Sequence, residues 1–407
     1  SGTDTSLTWI SAAQYGYLRL AAPLSDDSLK TPPQMDYWRI HYEEVPESAI
    51  NPNRTFAFYK DPLTEGDTIR LQIAIENIGD RPMDSLDVDF YLFNDRRQRI
   101  NLPSVRLDSL RIGSYLTASI RVDSTFGLAG SSSLWVEANP FNARHQEEQY
   151  HFNNLMEMRF NVDRDRINPI LDVTFDGVHI MDGDIVSGKP EISVFLRDEN
   201  RFLALTDTGK FKLYLRQPGS NTLQRIYFGE TTLGAQPVFF PATLPKNNCR
   251  IEWRPVLATD GTYLLEVEAA DISNNESGAN NLRITFEVIN KSSISEVLNY
   301  PNPFSTSTRF VFTLTGNEVP TYMKIQIMTV SGKIIREITQ AELGPIRIGR
   351  NITDYAWDGK DEFGDPLATG LYLYRVITTL NGEDVEKRST YADGYFKKGW
   401  GKMYLLR

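Results

Sequence analysis

Apolar residues recur at every second position in short runs, and each run is closed by Gly, Asn, Asp or Pro. This pattern constrains the fold more than any other feature of the chain. The clearest case is Thr68 to Asn77, where Ile69, Leu71, Ile73 and Ile75 fall on one face. The same period returns in Leu86–Leu92, Leu116–Val122, Pro190–Leu196, Gly261–Asp271, Leu282–Val288, Arg309–Leu314, Met323–Met328 and Leu371–Val376. A period of two is that of a strand with one buried face, and many short strands separated by turn residues are the mark of β-sandwiches. At 407 residues the chain is too long for one sandwich and suggests about three domains. The expected fold is therefore all-β, with tandem immunoglobulin-like sandwiches at 51–165, 166–290 and 291–407. Residues 1–50 carry three strand candidates, Leu7–Ile10, Tyr17–Leu20 and Tyr37–Tyr42, too few for a sandwich. They read as the tail of a preceding domain or as strands added to the next one.

Bulk properties exclude several function classes. With 41% hydrophobic and 24% charged residues the chain can bury a core. A net charge of −10 and a pI near 5.1 argue against a nucleic-acid binder, which needs a basic face. They also disfavour adsorption to an anionic membrane surface. No apolar run approaches the ~20 residues of a spanning helix, and the start Ser1-Gly2-Thr3 is not a signal peptide.

Candidate chemistry is sparse. The single cysteine, Cys249, allows no internal disulfide. It reads as a small buried hydrophobe, although Lys246 and Arg250 are placed to lower a thiol pKa. No histidine follows it, so a downstream Cys–His pair is excluded. His145, Glu147, Glu148 and His151 invite a metal assignment. The two histidines, six residues apart, do not share a helical face, and Asn139-Pro140 points to a polar loop instead. Asp163 to Arg166 alternates in sign, as a solvated linker does. Asp198-Glu199-Asn200 offers hard oxygen ligands of the kind calcium takes, but a polar turn explains it equally, and no cofactor is expected. The chain has no Gly-Lys-Ser/Thr phosphate loop, no His-Glu-x-x-His zinc helix and no Gly-x-Ser-x-Gly elbow.

The last hundred residues are the most distinctive. Tyr300-Pro301-Asn302-Pro303-Phe304 has two prolines that fix φ and remove backbone donors. Strands at Arg309–Leu314 and Met323–Met328 follow. Ser331-Gly332 signals a hairpin returning through Lys333–Arg336. Trp357-Asp358-Gly359 and Phe363-Gly364-Asp365-Pro366 are turns, and Gly370 opens the strand Leu371–Val376.

This succession, over residues 296 to about 378, resembles the FlgD-like immunoglobulin module and the C-terminal sorting domain of type IX secretion substrates. The Gly66–Gly79 strand, Trp135-Val136 with Asn139-Pro140, and Asn153-Asn154 resemble the CARDB type of Ig-like domain. Asn168 to Asn200, Gly261 to Gly278 and the ending Phe396 to Arg407 resemble PorU-type proteins of Bacteroidetes, sortases of the gingipain-like cysteine peptidase family. That resemblance implies the non-catalytic C-terminal region of a longer protein, exported through the periplasm and held at the cell surface. The family's catalytic Cys and His lie in an upstream domain without a counterpart here, so no catalytic residue and no enzyme activity is assigned to this chain.

The resemblance also implies a partner, a PorV-like outer-membrane β-barrel. The candidate docking residues are Gly399, Lys402, Met403, Tyr404, Leu405, Leu406 and Arg407, together with the hairpin at Ser331-Gly332. The same terminal strand also reads as the closing strand of its own sandwich, and both roles are compatible. Two alternatives stand beside this one. The first is an exported type IX cargo or adhesin with its sorting domain, which the family normally loses on export. The second is a glycan-binding surface module using Trp253, Trp357 and Trp400.

Overall fold

The alternating runs become strands paired in register. A computed structural model describes residues 5–11, 14–15, 17–31, 39–59, 62–278, 281–295, 297–388 and 399–406. The chain divides into two compact units, Ser1–Asp165 and Arg166–Arg407.

In the first unit, Ile69–Asn77 is the spine of a four-stranded sheet. Ser48–Ile50 and Phe56–Tyr59 pair along one edge and Tyr115–Val122 along the other. The facing sheet runs Leu63–Thr64, Leu155–Asp163, Gly130–Ala138 and Asp87–Phe93, with Arg99–Asn101 and Val105–Arg106 both on the last strand. Ile69, Leu71, Ile73 and Ile75 are buried against a set that includes Val88, Phe90, Leu92, Leu134 and Val136. Each such side chain contributes roughly 1.5–3 kcal/mol.

Two of the strand candidates upstream are not strands. Leu7–Ile10 and Tyr17–Leu20 are irregular, with Trp9 78% and Tyr17 90% exposed. Arg39 to Tyr42 is irregular too, while Tyr37 and Trp38 lie outside the described residues. A strand needs a neighbour to take its backbone N–H and C=O groups, and Leu7–Ile10 and Tyr17–Leu20 have no strand pairing among the described residues.

The second unit holds two sandwiches. One packs Ile170–Phe175, Ile192–Arg197, Asn248–Trp253 and Val238–Phe240 against Asp184–Val186, Leu282–Val288, Gly261–Ala269, Phe211–Arg216 and Gln224–Ile226. Its core includes Trp253, Tyr263, Phe211 and Phe286. Gly349, at φ +95°, brings the following sandwich close: a Cβ there would lie 2.4 Å from the Ile185 carbonyl oxygen.

Among the described residues the C-terminal sandwich has two five-stranded sheets. One runs Leu298–Tyr300, Arg309–Thr315, Ser293–Ile294 and Glu386–Lys387, with Gly349–Ile352 on Arg309–Thr315. The other runs Ile334–Ile338, Tyr322–Thr329, Gly370–Leu380 and Glu383–Asp384, with Gly401–Leu405 also on Gly370–Leu380. Between them lie Phe304, Phe310, Phe312, Ile325, Ile327, Trp357, Tyr374, Met403 and Leu405. A short helix, Gln340–Leu343, bridges two strands. Its capping box is reciprocal, between Thr339 and Glu342.

Candidate docking face

The hairpin and the terminal strand, both singled out in the sequence, lie in one sheet of the C-terminal sandwich. Thr329 N–H donates to the Lys333 carbonyl at 2.9 Å and Gly332 N–H to the Thr329 carbonyl at 3.0 Å. Gly332 sits at φ +89°, which explains why glycine stands there. Across the sheet, Ile334 pairs with Met328, Met328 with Leu373, and Leu373 with Lys402. The next row pairs Leu371 with Tyr404. Residues on one face of a sheet alternate with those on the other. Met323, Ile325, Ile327, Tyr372, Tyr374, Met403 and Leu405 point into the core, so these rows form the outer face.

That face has two halves. Ile334, Tyr404 and Leu406 are exposed, Leu371 and Leu373 are half-buried, and Val330 on the hairpin is 66% exposed. Beside this apolar half runs a polar row. Glu337 accepts from Lys324 Nζ at 3.0 Å and from the Gln326 amide. Arg375 Nε donates to Gln326 Oε1 at 2.7 Å, and its guanidinium lies 5.2 Å from the Trp400 ring centre. The Gln326 amide and the Lys324 ammonium hold the Glu337 carboxyl below its ordinary pKa. The arrangement is an apolar surface with a charged row along one side.

The terminal strand is divided between two tasks. Met403 and Leu405 are fully buried and complete the core, whereas Lys402, Tyr404 and Leu406 face outward. Gly399 begins the segment at φ +79°. Arg407 and Phe396 to Lys398 lie outside the described residues.

The other sequence candidates resolve differently. Trp253 and Trp357 are 1% and 0% exposed. They are core, not platforms, and their indole N–H groups donate to the carbonyls of Ala235 and Lys360. Trp400 is the one partly exposed member of the trio, beside Arg375. Cys249 is buried in its sheet opposite Leu196. Burial pushes its thiol up to about 11, so Lys246 and Arg250 do not activate it. A thiol reagent should therefore label native chain far more slowly than denatured chain. A labelling rate equal to that of a free thiol would show Cys249 to be accessible.

The loop bearing His145 and His151 is held by Glu148. This carboxylate accepts from Ser48 N–H and from the side-chain amides of Asn139 and Asn154. The Phe141 ring lies 4.4 Å from His145 and 4.3 Å from His151, centre to centre. Among the described residues no group of three metal-ligating atoms forms around either histidine.

Asp198 and Asn200 are buried. Asn247 donates to Asp198 Oδ2 at 3.1 Å, and Asn200 Oδ1 accepts from Phe202 N–H and Leu203 N–H. A carboxylate oxygen of Asp271, far away in sequence, lies within 4.8 Å of one from Asp198. Asp271 in turn accepts from Asn275 N–H at 2.8 Å and from the Asn275 amide at 2.7 Å.

No protein-family model matches the sequence, and a search of curated proteins returns no match. Several solved structures match. Dimeric latent PorU from Porphyromonas gingivalis matches at 13% identity over 89% of this chain and 34% of that one, with a TM-score of 0.24. The CARDB domain of a Pyrococcus furiosus protein, in complex with di-metal ions, matches at 14% identity over 31% of this chain and 100% of that one, with a TM-score of 0.25. The Escherichia coli adhesin FdeC matches at 10% identity over 89% and 97%, with a TM-score of 0.24. This chain thus spans about a third of the length of the PorU structure. Among the described residues no helix is long and apolar enough to cross a membrane.

Proposed function

We propose that the chain is the non-catalytic, docking part of a cell-surface, sortase-like protein of type IX secretion. On this reading the outer face of the C-terminal sandwich binds a PorV-like outer-membrane β-barrel. What supports it most is the shared sheet: the hairpin at Ser331-Gly332 and the strand Gly401–Leu405 lie in one sheet, whose outer face presents Ile334, Leu373, Leu371 and Tyr404 around a buried Met328. No catalytic residue and no cofactor belong to this reading.

Removing Lys402 to Arg407 does not test this reading, because it also removes Met403 and Leu405 from the core. A photo-crosslinking side chain is gentler. Placed at Leu371 in cells that carry the barrel, it is expected to yield a crosslinked barrel adduct. Placed at Phe240, exposed on the second sandwich, it is expected to yield none. Equal yields from both positions, or none from Leu371, would remove the support.

A further inference from the structure

The terminal strand has two edges, and the question is what covers the second. One edge pairs with Gly370–Tyr374, from Gly370 opposite Leu405 to Tyr374 opposite Gly401. Along the other edge, the backbone groups of Lys402, Tyr404 and Leu406 point away from that neighbour. An edge of this kind is a template on which a foreign strand can add.

The edge is occupied by the proline-flanked segment of the same sandwich. Asn302 Nδ2 donates to the Lys402 carbonyl at 2.9 Å, and Tyr404 N–H donates to Asn302 Oδ1 at 3.0 Å. One side-chain amide thereby does what a partner strand's backbone would do. Phe304 N–H then donates to the Tyr404 carbonyl at 3.0 Å, and Leu406 N–H donates to the Phe304 carbonyl at 2.8 Å. Every outward group from the Lys402 carbonyl to the Leu406 N–H is satisfied. The segment is itself anchored: Thr308 Oγ1 donates to the Pro301 carbonyl at 2.8 Å, and the Phe304 side chain is buried against Trp357. Pro301 and Pro303 have no N–H to offer on the far side, so the ladder ends with them.

We infer that Asn302–Phe304 is a built-in partner for the C-terminal strand, closing the edge to strand addition, by a second copy of this chain above all. Contact with any partner of the sandwich is then made by side chains on the sheet face. This last consequence rests on the docking reading, whereas the closed edge stands without it. The local test is amide hydrogen exchange on the whole chain. In the wild type, Tyr404 and Leu406 amides are expected to be protected like those inside the sheet. Asn302→Ala removes both side-chain bonds and is expected to speed exchange at Tyr404 by ~10-fold or more. It is also expected to shift the chain toward dimers in sedimentation at raised concentration. Rapid exchange at Tyr404 in the wild type would overturn the closed edge, even if the variant failed to fold. So would unchanged exchange and an unchanged sedimentation profile in a folded variant. Tighter barrel binding by Asn302→Ala would leave the closed edge intact but replace face docking with strand addition. Loss of barrel binding by face variants alone would keep both.

Discussion

Trp357→Ala is expected to cost the C-terminal sandwich about 3–5 kcal/mol. The side chain is fully buried, packs against Phe304 at 5.5 Å and Tyr372 at 6.1 Å between ring centres, and donates its N–H to the Lys360 carbonyl at 2.8 Å. Truncation leaves a large cavity and an unpaired carbonyl at the same point. Native domains are stable by only about 5–15 kcal/mol, so the loss is a large part of the total. Chemical denaturation of the variant reads it directly. A shift below about 1 kcal/mol would mean that Trp357 is not core. The glycan-platform reading requires that small shift, together with lost sugar binding.

The second large effect comes from the smallest side chain. A Cβ at Gly401 would lie 2.2 Å from Tyr374 Cζ and 2.6 Å from both Cε atoms. Tyr374 has little room to yield: its hydroxyl donates to the Val297 carbonyl at 2.7 Å and its ring packs on Phe310 at 5.2 Å. The backbone at Gly401 is equally constrained, since it pairs with Tyr374. Overpacking of this kind costs about 1–3 kcal/mol or more. At about 2–4 °C per kcal/mol for a compact unit of this size, Gly401→Ala should lower the melting temperature by several degrees. It should also loosen the strand that carries Met403 and Leu405. An unchanged melting curve would show that the close approach is relieved at no cost.

How far the sequence could be read depended on whether a feature was local. Ile69 to Ile75 announces both a strand and its buried face, because the period of two is itself the geometry. Gly332 marks its hairpin because only the turn needs positive φ. The strand candidates Leu7–Ile10 and Tyr17–Leu20 carried similar signals and formed nothing, since alternation describes side chains and says nothing about a neighbouring edge. The Thr339–Glu342 capping box was present in the sequence but lay unnoticed among β-type residues. Asp198 was visible as a candidate, whereas Asp271, which approaches it, belongs to another strand's end. Asn302 is the strongest case. Its partners Lys402 and Tyr404 lie about a hundred residues downstream, and no spacing rule connects a proline-rich segment with a strand at that distance. Trp253 offers the converse lesson, because an aromatic in a sheet reads the same from sequence whether it faces core or solvent.

Affinity for a purified PorV-like barrel is the decisive measurement for the docking face. The intact chain would be compared with Leu371→Asp and Tyr404→Asp, a cross-strand pair on the outer face whose replacement spares the core. Both variants are expected to melt as the intact chain does and to lose affinity by ~30-fold or more, as when a central apolar contact is replaced by a charge. Full affinity in both variants, with melting unchanged, would contradict docking through this face.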